Sequence, residues 1–272
     1  SYDNFFPNVS LSTQIGKLQT QHGYTTKTKR PTYAQLSSNM NYINRFTYMN
    51  GNPALKPTNL HDITLSGSYD WFQFMLSYQR EKDVILYMTD QYEKNPAITI
   101  ITHRNYDRID NVSVFLIASP IIKKWHPQLT IGLQKQWMDI EHNSRMLSMD
   151  RPLFIGRFNN GIQFPYGWTL HVDLFFQGKG DFQNIYINKN VFMMDASLTK
   201  SFFDDRLSFN LQGIDLTHGR KDGNVIYNKH MDLTVNNVTD SREVRLTVRY
   251  KFNTTKNKYK GKRAAEEEIR RL

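Results

Sequence analysis

The sequence predicts an all-β chain, an antiparallel transmembrane β-barrel wall, and three observations predict it. Apolar and polar residues alternate along almost its whole length, the signature of strands with one greasy face. The connections between these runs are short and long by turns. No run approaches the roughly 18 consecutive apolar residues that a spanning helix needs, so any crossing would fall to strands.

The runs can be taken in chain order. In "NVSLSTQIG", Val9, Leu11 and Ile15 alternate with Asn8, Ser10, Ser12 and Gln14. "ITLSGSYDWFQFMLSY" places Ile63, Leu65 and Tyr69 before a turn at Asp70 and Trp71, then Phe72, Phe74, Leu76 and Tyr78. In "WTLHVDLFFQ", Trp168, Leu170, Val172, Leu174 and Phe176 oppose Thr169, His171, Asp173 and Gln177, with Phe175 out of pattern. "RLSFNLQG" sets Leu207, Phe209 and Leu211 against Ser208, Asn210 and Gln212. "EVRLTVRYKFN" sets Val244, Leu246, Val248, Tyr250 and Phe252 against Arg245, Thr247, Arg249 and Lys251. Successive strand side chains point to opposite sides, so each run has one wholly apolar face. Hydrocarbon or the interior of a soluble sandwich can cover such a face. A Lys or Arg turned to mid-bilayer costs roughly 2–4 kcal/mol, so a lipid-facing strand here must turn its cations inward.

The connections favour one of the two covers. Tight ones fall at Asp70 and Trp71, at residues 165–167 and at Asp204 and Asp205. Long polar ones fall at residues 30–57, 141–151, 178–190 and 218–240. Residues 119–127 form a connection of medium length where a tight turn is expected. Short turns at one rim and long loops at the other describe an outer-membrane barrel, whereas a sandwich spreads its loops less regularly. About eleven strands can be counted. An open sheet of that size leaves two unpaired edges, which lipid does not permit, so the chain is expected to be part of a larger barrel.

Composition agrees and excludes other classes. The chain is 39% hydrophobic with a mean hydropathy of −0.60, low for a large dry core, yet 13% aromatic. A wet lumen flanked by aromatic girdles has that balance. There is no cysteine, so neither disulfides nor Cys-ligated metals arise. The net charge of +10 gathers partly in the tail, and no nucleic-acid-binding pattern accompanies it. Eight histidines are scattered without metal-ligand spacing, and no nucleophile elbow or phosphate loop occurs. The expectation is a non-enzyme without metal, cofactor or nucleic-acid partner. "SYDNFFPNVS" has no signal-peptide pattern, so either the protein is not exported or the sequence starts downstream of its true beginning.

One loop carries a specific signal. Arg30-Pro31-x-Tyr33-x-x-Leu36, then Gly51-Asn52-Pro53-x-Leu55-Lys56-Pro57, resembles a signature of TonB-dependent outer-membrane receptors. The similarity is to the outer-membrane β-barrel family of Bacteroidetes type. "RFNNGIQFPYGWTLHVDLFFQGKG", "MDASLTKSFFDDRLSFNLQGIDLTHG" and "VRYKFN" with its basic linker and "EEEIRRL" resemble successive stretches of that family. The resemblance implies a 22-stranded barrel around an N-terminal plug, energised through a TonB complex, of which these residues would be the C-terminal half. It implies residues 1–252 as barrel, and 253–272 as a basic then acidic tail in the periplasm of a Gram-negative cell. It implies uptake of a scarce nutrient, whether iron chelate, cobalamin, glycan or peptide. The implied partners are outer-membrane lipid, the plug and first half of the barrel, the TonB complex and a surface lipoprotein.

Candidate residues follow from faces. His171, Asp173, Arg245, Arg249 and Lys251 would line the lumen, where they can steer anions or simply pair with acids of plug or wall. Tyr250 and Phe252 suit the periplasmic aromatic girdle. Pro53 restricts Asn52 to extended geometry, which reads as loop architecture. Two other functions stay open at this point: a soluble all-β carbohydrate- or ligand-binding module, and a structural or adhesive barrel without transport.

Overall fold

The computed structural model describes residues 6–92, 95–229 and 231–252. Strands run in chain order as β1 (Asn8–Ile15), β2 (Leu18–Lys29), β3 (Asn41–Asn44), β4 (Thr47–Met49), β5 (Thr58–Tyr69), β6 (Phe72–Tyr92) and β7 (Asn95–Ala118). They continue as β8 (Trp125–Trp137), β9 (Asp139–His142), β10 (Arg145–Ser148), β11 (Leu153–Phe164), β12 (Trp168–Gln177) and β13 (Gly180–Phe182). The last are β14 (Ile185–Ile187), β15 (Val191–Phe202), β16 (Leu207–Ile214), β17 (Lys221–Tyr227), β18 (Asp232–Val238) and β19 (Glu243–Tyr250). A one-turn helix, α1 (Tyr33–Leu36), stands in the first long loop.

Eleven strands form one antiparallel path, β1-β2-β5-β6-β7-β8-β11-β12-β15-β16-β19. This wall is open: among the described residues β1 pairs only with β2, and β19 only with β16. The sequence alternation becomes two faces. On the outer face the register sets Leu65, Leu76, Val114 and Leu133 side by side on adjacent strands. Leu170, Leu198, Leu211 and Leu246 make a matching row farther along. Aromatics mark both margins of this face. Tyr69, Phe72, Trp125, Phe164, Trp168, Phe202 and Tyr250 lie at the tight-turn end, and Trp137, Phe154, Phe176 and Phe192 at the other. Lys200 lies on the outer face among the lower set. Its ammonium stands 5.2 Å from the Trp168 ring and 5.0 Å from the Phe202 ring, and donates to the Tyr166 carbonyl, as a snorkelling lysine does.

The connection at 119–127 is shorter than the sequence suggests. β8 already begins at Trp125, and Ile122 bridges to it. Pro127 sits inside the strand opposite Asn160 of β11, while pairing with β7 starts only at Leu129. Proline cannot donate to a ladder, and here the β7 side needs no donor.

The long connections are not simple loops either. β6 and β7, of 21 and 24 residues, continue past the wall as a projecting ribbon. β9 and β10 form a hairpin, and β13, β14, β17 and β18 a separate four-stranded sheet. The buried hydrophobic residues gather in this layer: Val84, Leu86, Ile109, Met138, Ile140 and Met149 form one cluster, joined by Met88, Tyr106, Leu147, Tyr186 and Tyr227. The wall turns its apolar side chains outward, as a lipid-facing sheet must, so burial occurs where the loops cover one another.

Candidate functional site in the inner face and loop layer

The inner face is polar because every second residue of each wall strand turns to it. Its rows follow from register. His126, Gly161, His171, Ser197, Gln212 and Arg245 stand side by side across six strands. The neighbouring row runs Gln128, Asn159, Asp173 and Asp195. Two sequence candidates, His171 and Arg245, thus share one row, and Asp173 lies in the next. Asp173 directly opposes another carboxylate, and Asp195 accepts from the Asp215 amide at 2.7 Å. Arg245 is held by Glu243 through two hydrogen bonds of 2.9 and 3.1 Å. Arg249 faces Ser208, and the Lys251 amide donates to Arg206. Phe175, out of pattern in the sequence, faces inward beneath the Arg157 guanidinium at 5.3 Å. Tyr250 and Phe252 meet edge to face at 4.6 Å. A concavity of about 850 Å³ lies on the inner face near the tight-turn end, lined by Gln19, Gln21, Ser66, Gln73 and Phe115 among others.

Above the wall, the motif loop docks on the β7 ribbon. Arg30 and Pro31 lead to Thr32, which caps α1, and Gln35 returns the bond to the Thr32 amide. Tyr33 is almost fully exposed, and Leu36 ends the turn by donating to the Thr32 carbonyl. The Gly51 amide donates to Ser37, and the Asn52 amide to Gln35. A Cβ at Gly51 would lie 2.4 Å from the Gln35 carbonyl oxygen, so only glycine fits. Asn52 caps the Ala54 amide with its oxygen and donates to the His103 carbonyl with its nitrogen. Leu55 is buried, and Asn105 clamps both the amide and the carbonyl of Lys56. Pro53 and Pro57 bracket that clamp. The motif thus works as a clasp between loop and ribbon.

Residues that sequence reasoning missed hold the rest of the layer. Buried Asn184 donates to the carbonyls of Tyr87 and Tyr227, and buried Asn228 accepts from the Thr89 amide. Gln136 bonds Met149 and both backbone groups of Gln183. Asp181 accepts from the Arg151 amide and guanidinium, and that guanidinium stacks on Tyr186 at 3.8 Å. Asp215, in the left-handed region at φ 46°, gathers the Gly219 and Arg220 amides and the Ser241 hydroxyl. Burial raises its pKa, but these donors outweigh that and hold the carboxyl below the usual range. For Asn184, Asn228 and Gln136 the signal was the amide type alone, since their partners lie on other segments of the chain.

His103 is buried against Tyr87 with ring centroids 4.6 Å apart, and neither ring nitrogen has a partner among the described residues. Burial lowers its pKa. The clasped form therefore excludes the proton that an opened form accepts near pH 6.5, so the clasp weakens as pH falls below that value. Hydrogen exchange of residues 50–55 is expected to show more frequent opening at about pH 5.5 than at pH 7.5, and His103→Gln to remove the difference. Equal opening in wild type at both pH values would contradict this.

A model of the outer membrane protein β-barrel family matches residues 1–250, and the chain belongs to that family. The structure of the siderophore receptor PirA from Pseudomonas aeruginosa matches with a TM-score of 0.56 at 16% identity, over 80% of this chain and 39% of that one. PirA from Acinetobacter baumannii matches at 0.55 and 12%, over 92% and 41%. The outer membrane transporter YddB from Escherichia coli matches at 0.52 and 11%, over 87% and 39%. The chain thus spans about two fifths of the length of these structures. No curated protein matches the chain.

Proposed function

We propose that this chain is half of the wall of a TonB-dependent receptor and carries a scarce nutrient across the outer membrane. The single observation behind this reading is the open path of eleven strands, apolar outside and polar inside, whose β1 and β19 edges have no further partner among the described residues. A further set of strands, making about 22 in all, would pair with both edges and close a lumen wide enough for a plug. The loop layer captures the ligand, the rows around His171, Asp173 and Arg245 line its path, and a TonB partner moves the plug. Arg249 and Lys251 face the plug, Tyr250 and Phe252 sit in the periplasmic girdle, and residues 253–272, outside the described residues, enter the periplasm. Binding and passage, rather than catalysis, are its work.

Deleting residues 1–252 from the chromosomal gene is expected to abolish growth on one limiting nutrient among iron chelates, cobalamin, glycans and peptides. Loss of the TonB partner should reproduce that defect. Undiminished growth on every such nutrient would overturn the proposal.

A further inference from the structure

On the outer face, at the end of the wall where the long loops begin, Lys82 of β6 directly opposes Arg108 of β7. Both are exposed. Like charges placed opposite one another destabilise a strand pair unless something neutral or anionic intervenes. Two residues lower, Arg80 faces Asp110, and that carboxylate is shared: it accepts from Arg80 at 2.7 Å, from Tyr78 at 2.7 Å and lies 3.1 Å from Arg108. Lys82, Arg80 and Arg108 therefore gather around Asp110, while Asp139, which accepts from the Ser148 hydroxyl, lines the pocket beside Arg108. Beside them, Lys135 is already paired with Asp150 at 3.3 Å. Among the described residues Lys82 has no ion-pair partner.

Their height identifies what they meet. Lys82 is ten residues above Phe72 of the lower aromatic margin. At about 3.3 Å per residue and a tilt near 40°, that is roughly 25 Å, the thickness of the apolar band of an outer-membrane barrel. The charges stand at headgroup depth rather than in hydrocarbon, on the side that faces lipid. Trp137, opposite Asp110, occupies the same level, where an interfacial indole belongs.

We propose that Lys82, Arg108 and Arg80 form a docking site for the phosphate of an anionic lipid headgroup in the outer leaflet. The phosphate lies between Lys82 and Arg108 and relieves their repulsion, with Arg80, oriented by Asp110 and Tyr78, on its flank. The guanidinium forks suit phosphate oxygens, and the lysine supplies a point charge. The inference rests on the long loops facing outward, as in the proposed function.

The test uses the protein expressed in an outer membrane, purified in detergent and placed in nanodiscs that mix lipid A with phosphatidylcholine. Native mass spectrometry reads the lipids retained. Wild type is expected to enrich lipid A about tenfold over its share, and Lys82→Gln with Arg108→Gln to lose that enrichment. The exchange Lys82→Arg with Arg108→Lys keeps both charges and is expected to keep it, whether or not the neutral variant folds. No enrichment by wild type, or full enrichment by a folded neutral variant, would overturn the site. Displacement of lipid A by excess inorganic phosphate would reassign the pair to a soluble anion and overturn it too. Quenching of Trp137 by brominated lipid separates this inference from the larger one. A quenched Trp137 without lipid selectivity removes only the site, whereas an unquenched Trp137 removes the membrane wall itself.

Discussion

Val172→Arg is expected to keep the protein out of the outer membrane, while Asp173→Arg, one residue away, leaves assembly intact. Val172 is the middle residue of the outer face of β12, between Trp168 at one margin and Phe176 at the other. A guanidinium there would sit near the bilayer midplane at a cost of about 2–4 kcal/mol. Asp173 points to the inner face, where it opposes Asp195. An arginine at that place meets water and a carboxylate, and removes a like-charge pair. Heat-modifiable gel mobility of outer-membrane fractions reads the outcome. Equal loss of assembly in both variants would mean that β12 does not divide lipid from lumen.

Leu86→Ala is expected to carry the second large effect, and a local one. Leu86 is fully buried at the centre of the loop-layer cluster. Removing three carbons from such a place costs about 2–5 kcal/mol, because the cavity left behind closes only in part. The wall meets that core only at its rim, through Ile109, so the loss falls on the layer that would receive ligand. Limited proteolysis should cut faster between residues 139–148 and 180–187, while the wall stays protected. Ligand uptake should fall with it. Unchanged proteolysis of those loops would show that the cluster does not hold them.

Most of the wall was legible in the sequence because lipid imposes a plain rule. A strand with lipid on one side and water on the other must alternate, and that rule exposed the runs around Leu65, Val172 and Leu246 directly. The open edges followed from counting strands. The loop layer was not legible, for three physical reasons. Its strands, such as Gly180–Phe182 and Ile185–Ile187, have three residues each, too few to show a period. Its bonds join distant residues, as Asn184 does with Tyr87. Its polar latches are carboxamides and carboxylates, which read as solvated loop side chains until a partner is known. The candidate site was half legible for a similar reason. Alternation places His171 and Arg245 inward, but only register sets them in one row with His126 and Gln212. The motif from Arg30 to Pro57 was visible as a pattern, whereas its work as a clasp depends on Asn105 and His103, which belong to another strand.

The two faces of β12 can be separated in one experiment, because these 272 residues contain no cysteine to confuse it. A single cysteine is placed in turn at positions 169 to 174, spin-labelled, and its collisions with oxygen dissolved in lipid and with a water-soluble nickel complex are compared. The expected result is strict alternation. Labels at Leu170, Val172 and Leu174 should meet oxygen, and labels at Thr169, His171 and Asp173 should not. Collision rates that vary together along the strand, or show no period of two, would contradict a wall with lipid on one side and a polar lumen on the other.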